Sequence, residues 1–208
     1  VDVQNTLTTT GVGGTITINA NTVGADADGY TQGAFLIASG DTSANAVKIT
    51  VNDNAAGSGT AQLDAITAAA GGNITVTTRG AAGTTATGGN ITQTDAKLLT
   101  ATTGTVTLAT GDTASIGTAQ NSAGNVNTTA ATVVASAGIG GLFLGETNGA
   151  AFTVTALLGG AVNVLNDGGT LQIAGASGSA TGAVTLASQG AVDVQNTLTT
   201  TGVGGTIT

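Results

Sequence analysis

Residues Val1–Thr17 and Val192–Thr208 are the same seventeen residues in the same order, Val-Asp-Val-Gln-Asn-Thr-Leu-Thr-Thr-Thr-Gly-Val-Gly-Gly-Thr-Ile-Thr. A match of that length does not arise by chance, even in a chain with 35 glycines. The copies are offset by 191 residues, so the chain reads as one full repeat, 1–191, followed without a linker by the opening of the next, 192–208. Self-similarity at a fixed period marks an array in which each unit buries its apolar face against a neighbour. The expectation is that position 192 takes the place of position 1 one repeat further along, by a translation and a modest twist.

Within the repeat, short segments alternate a branched apolar residue with Thr or Asn. Ile16 to Ile18, Val47 to Val51, Ile74 to Thr77, Ile91 to Thr92, Val106 to Leu108, Phe152 to Thr155, Val162 to Val164 and Val184 to Leu186 all do so. Period two with β-branched side chains is the strand signature, because those side chains suit a pleated surface. Ile16, Ile74, Ile91, Val106 and Val184 are expected to face inward and their Thr or Asn neighbours outward. Four segments follow a double glycine, as Gly-Gly-Asn-Ile-Thr or Gly-Gly-Thr-Ile-Thr. Glycine lets the chain turn a corner through positive φ, and Asn bonds neighbouring backbone at a bend.

A second set of apolar stretches, Phe35-Leu36-Ile37, Leu98-Leu99, Val133-Val134, Leu142-Phe143-Leu144 and Leu171-Gln172-Ile173, lies between these anchors. Two or three short strands per coil with glycine-rich corners describe an all-β parallel β-helix. The anchor spacings suggest eight or nine coils of about 21–24 residues per repeat, roughly 40 Å long. Residues 61–70 read as a helical turn with Leu63 and Ile66 on one side. Residues 25–33 and 138–149 read as loops bulging from the coil. The rival fold, two immunoglobulin-like sandwiches, requires antiparallel hairpins and usually a buried Trp or Tyr in each domain. The chain has no Trp or Pro.

Composition narrows the function. The chain holds 43 Thr but only four aromatic rings, Tyr30, Phe35, Phe143 and Phe152, so its core must be narrow and aliphatic. Its net charge is −8, with Lys48, Arg79 and Lys97 the only basic side chains. Nucleic-acid phosphates require a basic face, and no apolar run is long enough to span a membrane. Without His or Cys there is no Ser-His-Asp triad, no Cys-His pair and no ordinary zinc or haem site. Gly138-Ile139-Gly140-Gly141 begins like a dinucleotide loop, but the third glycine of that motif falls on Phe143.

The stretches Gly182–Gly190, Gly104–Gly111, Asn90–Asp95 and Gly138–Gly145 resemble, in pattern and composition, large secreted bacterial exoproteins of the filamentous-haemagglutinin type. That resemblance implies a right-handed β-solenoid, exported and held outside the cell or at its surface, with adhesive or scaffolding roles. It brings no catalytic residues. The leading expectation is therefore a non-enzymatic structural or adhesive segment of a fibre. Its partners would be neighbouring copies end to end, other fibres or cell-surface glycans. The alternative is a carbohydrate- or surface-binding module acting through its loops, and a polysaccharide-active β-helix enzyme ranks third.

Candidate site residues are few. Asp26, Asp28 and Asp53 offer hard oxygens of the kind calcium takes, and calcium is the only cofactor they suggest. Tyr30, beside Asp26, Asp28 and Gln32, forms the sole acidic-aromatic cluster and is the candidate ligand-binding residue. The carboxylates also admit glycoside hydrolysis, although Asp-Ala-Asp-Gly in a polar turn shows no means of keeping one carboxyl protonated. Recurrent Thr-x-Thr pairs suggest a flat ice-binding ladder only if coil lengths are regular.

Overall fold

The structure is a computed structural model that describes residues 1–22, 27–52, 57–79, 87–121, 123–156, 159–202 and 204–208. Among these residues the chain forms 21 strands, β1 to β21 in chain order, and no α-helix. Every strand pairing is parallel, which excludes hairpin-built sandwiches. The fold is a parallel β-helix.

Its first three coils each contribute one strand to each of three faces. β1 (Asp2–Val3), β4 (Tyr30–Gln32) and β7 (Ala61–Leu63) lie on a face named here for Tyr30. β2 (Leu7–Thr9), β5 (Ile37–Ser39) and β8 (Ile66–Ala68) make the Ile37 face. β3 (Ile16–Ala20), β6 (Val47–Val51) and β9 (Ile74–Thr77) make the Ile16 face. The residues expected to point inward do so: Ile16 is 4 % exposed, and Ile74, Ile91, Val106 and Val184 are fully buried. Each such side chain contributes roughly 1.5–3 kcal/mol by leaving water.

Two ladders of side chains run through the core. One is Ile16, Val47, Ile74, Val106, Val133, Phe152, Ile173 and Val194, each in register with the next. The other is Tyr30, Ala61, Ile91, Ile116, Leu142, Val162, Val184 and Ile207. Eight rungs correspond to eight coils. The coils are unequal. Tyr30 pairs with Ala61, 31 residues on, whereas Leu142 pairs with Val162, 20 residues on. The roughly 21–24 residues per coil expected from sequence are met near the C-terminal end, where Val162 meets Val184 and Val184 meets Ile207. Ile91 and Val106, fifteen residues apart, lie on two faces of one coil, the Tyr30 face and the Ile16 face.

The double glycines divide their labour. The first of each pair, Gly13, Gly71, Gly88 and Gly204, has positive φ, between 86° and 141°. At Gly72 and Gly89 the second sits where a Cβ would come within 2.3 Å of the Asp41 carbonyl oxygen and 2.4 Å of the Gly59 carbonyl oxygen on the adjacent coil. The Asn that follows bridges coils. Asn73 Oδ1 accepts from the Thr105 N–H at 2.8 Å, and Asn90 Oδ1 from the Ser115 N–H at 2.9 Å.

Several local expectations are corrected. The helical turn at 61–70 is two strands, β7 and β8, because Leu63 and Ile66 each fill the core from a different face and the chain bends between them at Asp64. The loop expected at 138–149 contains β14 (Gly141–Glu146), with Leu142 and Leu144 fully buried. A continuous threonine array fails as well: beside the first ladder the outward positions read Thr17, Lys48, Thr75, Thr107, Val134 and Thr153.

The two identical segments adopt the same local structure. Asp2–Val3 matches β20 (Val192–Val194), and Leu7–Thr9 matches β21 (Leu198–Thr200). Their places differ. Val3 lies on the Tyr30 face, but its counterpart Val194 ends the Ile16 ladder, and Ile207, the counterpart of Ile16, ends the Tyr30 ladder. Translation with a modest twist therefore does not relate the copies.

The faces move because their borders move. β13 (Val126–Ala137) touches all three: Val126 pairs with Leu144, Thr128 with Leu99, and Val133 with Val106. The Ile37 face then merges into the end of β14, where Thr128 meets Glu146. On the opposite side β15 (Ala151–Ala156) carries two strands above it, β17 (Leu171–Ile173) at Phe152 and β18 (Ser177–Ser179) at Ala156. One face closes while another divides.

Candidate binding groove and buried corners

Asp26 and Asp53 lie outside the described residues. Asp28 is exposed and stands at a groove of about 600 Å³, together with Asp2, Asn21, Thr22, Thr31 and Thr60. The fold assembles this groove from the first three coils: β1 brings Asp2, the corner after β3 brings Asn21 and Thr22, and the approach to β4 brings Asp28. Asp2 Oδ2 accepts from Gln4 Nε2 at 2.5 Å, and the Val1 amino group donates to the Gly29 carbonyl at 2.7 Å. The lining is rich in hydroxyl and carboxylate oxygens and carries no ring. It suits a hydrated cation or a polar ligand held from one side. Among the described residues no three carboxylates converge closely enough to enclose a metal.

Tyr30 is not part of that surface. It is 1 % exposed, the largest side chain of the core, and its hydroxyl donates to Gln32 Oε1 at 3.3 Å. Burial pushes its phenol pKa well above the usual range. Gln32 is buried as well, and its Nε2 donates to the Phe35 and Ala65 carbonyls, each at 2.8 Å. The acidic-aromatic cluster is thus split by the pleat. In Tyr30-Thr31-Gln32 the first and third side chains point inward and only Thr31 points out. The expectation of an exposed loop with Tyr30 as a contact is corrected on that ground. The alternation Tyr-Thr-Gln was the signal that should have placed it.

Other polar residues clasp corners. Asp41 is buried, accepting from Ser43 Oγ and from the N–H groups of Gly13 (3.0 Å) and Thr42 (2.9 Å). The hydrogen bond from Ser43, then that from Gly13, holds its pKa below the ordinary carboxylate value. Asn52 takes a left-handed conformation, φ 62°, and is fully buried. Its Nδ2 donates to the carbonyls of Gly59 (2.8 Å) and Thr78 (2.9 Å), while Oδ1 accepts from the Gly59 N–H (2.9 Å) and Asn21 Nδ2 (2.7 Å). Asn and Asp tolerate this conformation because their short side chains bond locally. These bonds lock three coils together at one edge.

Sequence reasoning missed Glu146, whose carboxylate is fully buried at the end of β14. Thr128 Oγ1 donates to Oε2 at 2.6 Å. The N–H groups of Thr147 (3.0 Å), Asn148 (3.2 Å) and Ala130 (3.4 Å) donate to Oε1. Burial raises its pKa against the opposing pull of those donors. Continuing the alternation Leu142-x-Leu144-x-Glu146 would have found it. Closed from solvent, it is a corner filler at the point where the Ile37 face merges into β14. Comparison with family models, with curated proteins and with solved structures finds no match.

Proposed function

We propose that this chain is a length of a fibre-forming structural or adhesive β-solenoid, working outside the cell or at its surface, in which successive repeats stack end to end. One observation carries the reading. Residues 192–202 and 204–207, which duplicate the opening of the chain, are seated on the preceding coil with both core ladders continuing into them, at Val194 and at Ile207. A coil so placed needs no new contact type to extend. Each added strand finds backbone partners and apolar rungs already set out, and stability adds coil by coil. The polyanionic composition supports a role in which fibres stay apart laterally, since like charge opposes side-by-side collapse.

The test is the length of chains carrying one, two and three copies of residues 1–191. Electron microscopy or small-angle scattering is expected to give rods lengthening by about 35 Å per copy, from a rise of about 4.8 Å per coil. Compact particles whose longest dimension does not grow with copy number would end the proposal.

A second reading, recognition of a polar ligand, draws on the Asp2/Asp28 groove. Two carboxylates with hydroxyl neighbours support weak calcium binding in the millimolar range typical of exposed extracellular sites. Calorimetry on the 208-residue chain is expected to show saturable heat with calcium that Asp28→Asn abolishes. A flat titration up to millimolar calcium would remove this reading.

A further inference from the structure

The duplicated segment occurs in two settings in this chain, once with strands above it and once with strands below it. At the N-terminal end β1, β2 and β3 are covered from above by β4, β5 and β6. At the C-terminal end β20, β21 and Ile207 are supported from below by β17, β18 and Val184. Ile16 is 4 % exposed because Val47 lies over it, whereas its counterpart Ile207 has no rung above it and is 50 % exposed. Joining the two half-views places the Ile16 face of one repeat directly over the Tyr30 face of the repeat before it.

We infer that the fibre's repeat is a screw: each 191-residue unit makes seven full turns and then advances by one of the three faces, so the surface pattern returns only after three units. The step follows from register. Seven pairings lead up the Tyr30 face from Asp2 to the level of β19 (Val184–Ser188), and the next strand, β20, carries Asp193, the counterpart of Asp2, on the adjoining face over Gln172. The three-repeat period is about 105 Å at about 4.8 Å per coil.

The offset decides what the fibre displays. Residues 117–121 and 123–125 leave the Tyr30 face, with the Thr118 N–H donating to Gly124 O at 2.8 Å and Gln120 and Asn121 exposed. A translational array would align these excursions along one side. The screw carries them to each of the three sides in turn, so a partner approaching from any direction meets the same residues. This consequence rests on the stacking proposed above. The offset itself is a property of the single 208-residue chain and is tested there.

The chain has no cysteine, so introduced pairs are read without background. In-register neighbours on parallel strands lie about 4.8 Å apart, within the Cα range of a disulfide. Under mild oxidation Q172C/D193C is expected to close, because Gln172 and Asp193 are register partners. T185C/T208C is expected to close as well, since the Thr208 N–H donates to Val184 O at 2.9 Å and its carbonyl accepts from Leu186 at 3.0 Å, which sets it beside Thr185. F143C/N163C and N163C/T185C, which trace Thr185 back down the Tyr30 face, are expected to close too. D2C/T31C reports the same sequence at the other end, where Asp2 pairs with Thr31. Failure of either tracing pair overturns the screw, because Thr208 would then not lie above the Tyr30 face, as does failure of the first two pairs with or without closure of D2C/T31C. Because each pair lies on strand surfaces, failure of one variant to fold leaves the other to decide. Rods that fail to lengthen with copy number would count against the fibre and leave this geometry standing.

Discussion

Ile74→Asp is expected to destabilise the chain by more than about 4 kcal/mol. Ile74 is fully buried in the middle of the first ladder, with Val47 below it and Val106 above, and no basic side chain reaches the core ladders. A carboxylate there has no partner and no water. Because each coil contacts only its neighbours, the loss should begin as local opening of the coils around β9 before the ends follow. Equilibrium denaturation gives the magnitude, and limited proteolysis gives the place, with new cleavage expected around residues 66–78. Thr75→Asp, one residue away on the outer surface, is expected to cost no more than about 0.5 kcal/mol. Equal effects from the two substitutions would mean that the inward and outward assignment along β9 is wrong.

Glu146→Ala is expected to cost about 2–4 kcal/mol, since it leaves a void and withdraws the acceptor from Thr128 and from the N–H groups of Thr147 and Asn148. Glu146→Gln should behave differently. Its carbonyl oxygen keeps the N–H donors, and its amide donates to Thr128 Oγ1, whose own hydrogen is free to go to the Gly145 carbonyl at 3.1 Å. The pH dependence separates the cases further. The native pKa of Glu146 is raised, so the native state holds its proton more tightly than the unfolded chain does. This group's stabilising contribution is fully present below the ordinary glutamate pKa and is lost as pH rises through the native value. Stability measured from pH 4 to 8 should fall more in the natural chain than in Glu146→Gln. Parallel pH profiles for the two would show that Glu146 titrates as an ordinary exposed carboxylate.

Much of this structure is legible in the residues because a β-coil is a local object. Period-two alternation fixed which side chain of Ile74-Thr75-Val76-Thr77 turns inward, and the double glycines marked corners because only glycine accepts both the positive φ at Gly71 and the close approach at Gly72. The same logic, carried two residues past an obvious apolar pair, places Tyr30, Gln32 and Glu146 inside. Those were misread or missed because ring and charge were given more weight than the pleat. The acidic groove was only half legible. Asp28 was identified from its neighbours in sequence, but Asp2 reaches the same groove from the preceding coil, and only stacking brings them together.

What the residues alone indicated is a coiling chain with a thin aliphatic core and seventeen residues duplicated at an offset of 191. What only the tertiary structure decided is where each coil closes. Coil length is the sum of strands and corners. Nothing in a local pattern states whether two apolar segments such as Ile91 and Val106 are successive coils or two faces of one. Small differences in closure accumulate over eight coils, as one face merges at Glu146 and another divides above β15. The result is a one-face displacement that sets identical sequences, Val1–Thr17 and Val192–Thr208, on different sides of the same axis.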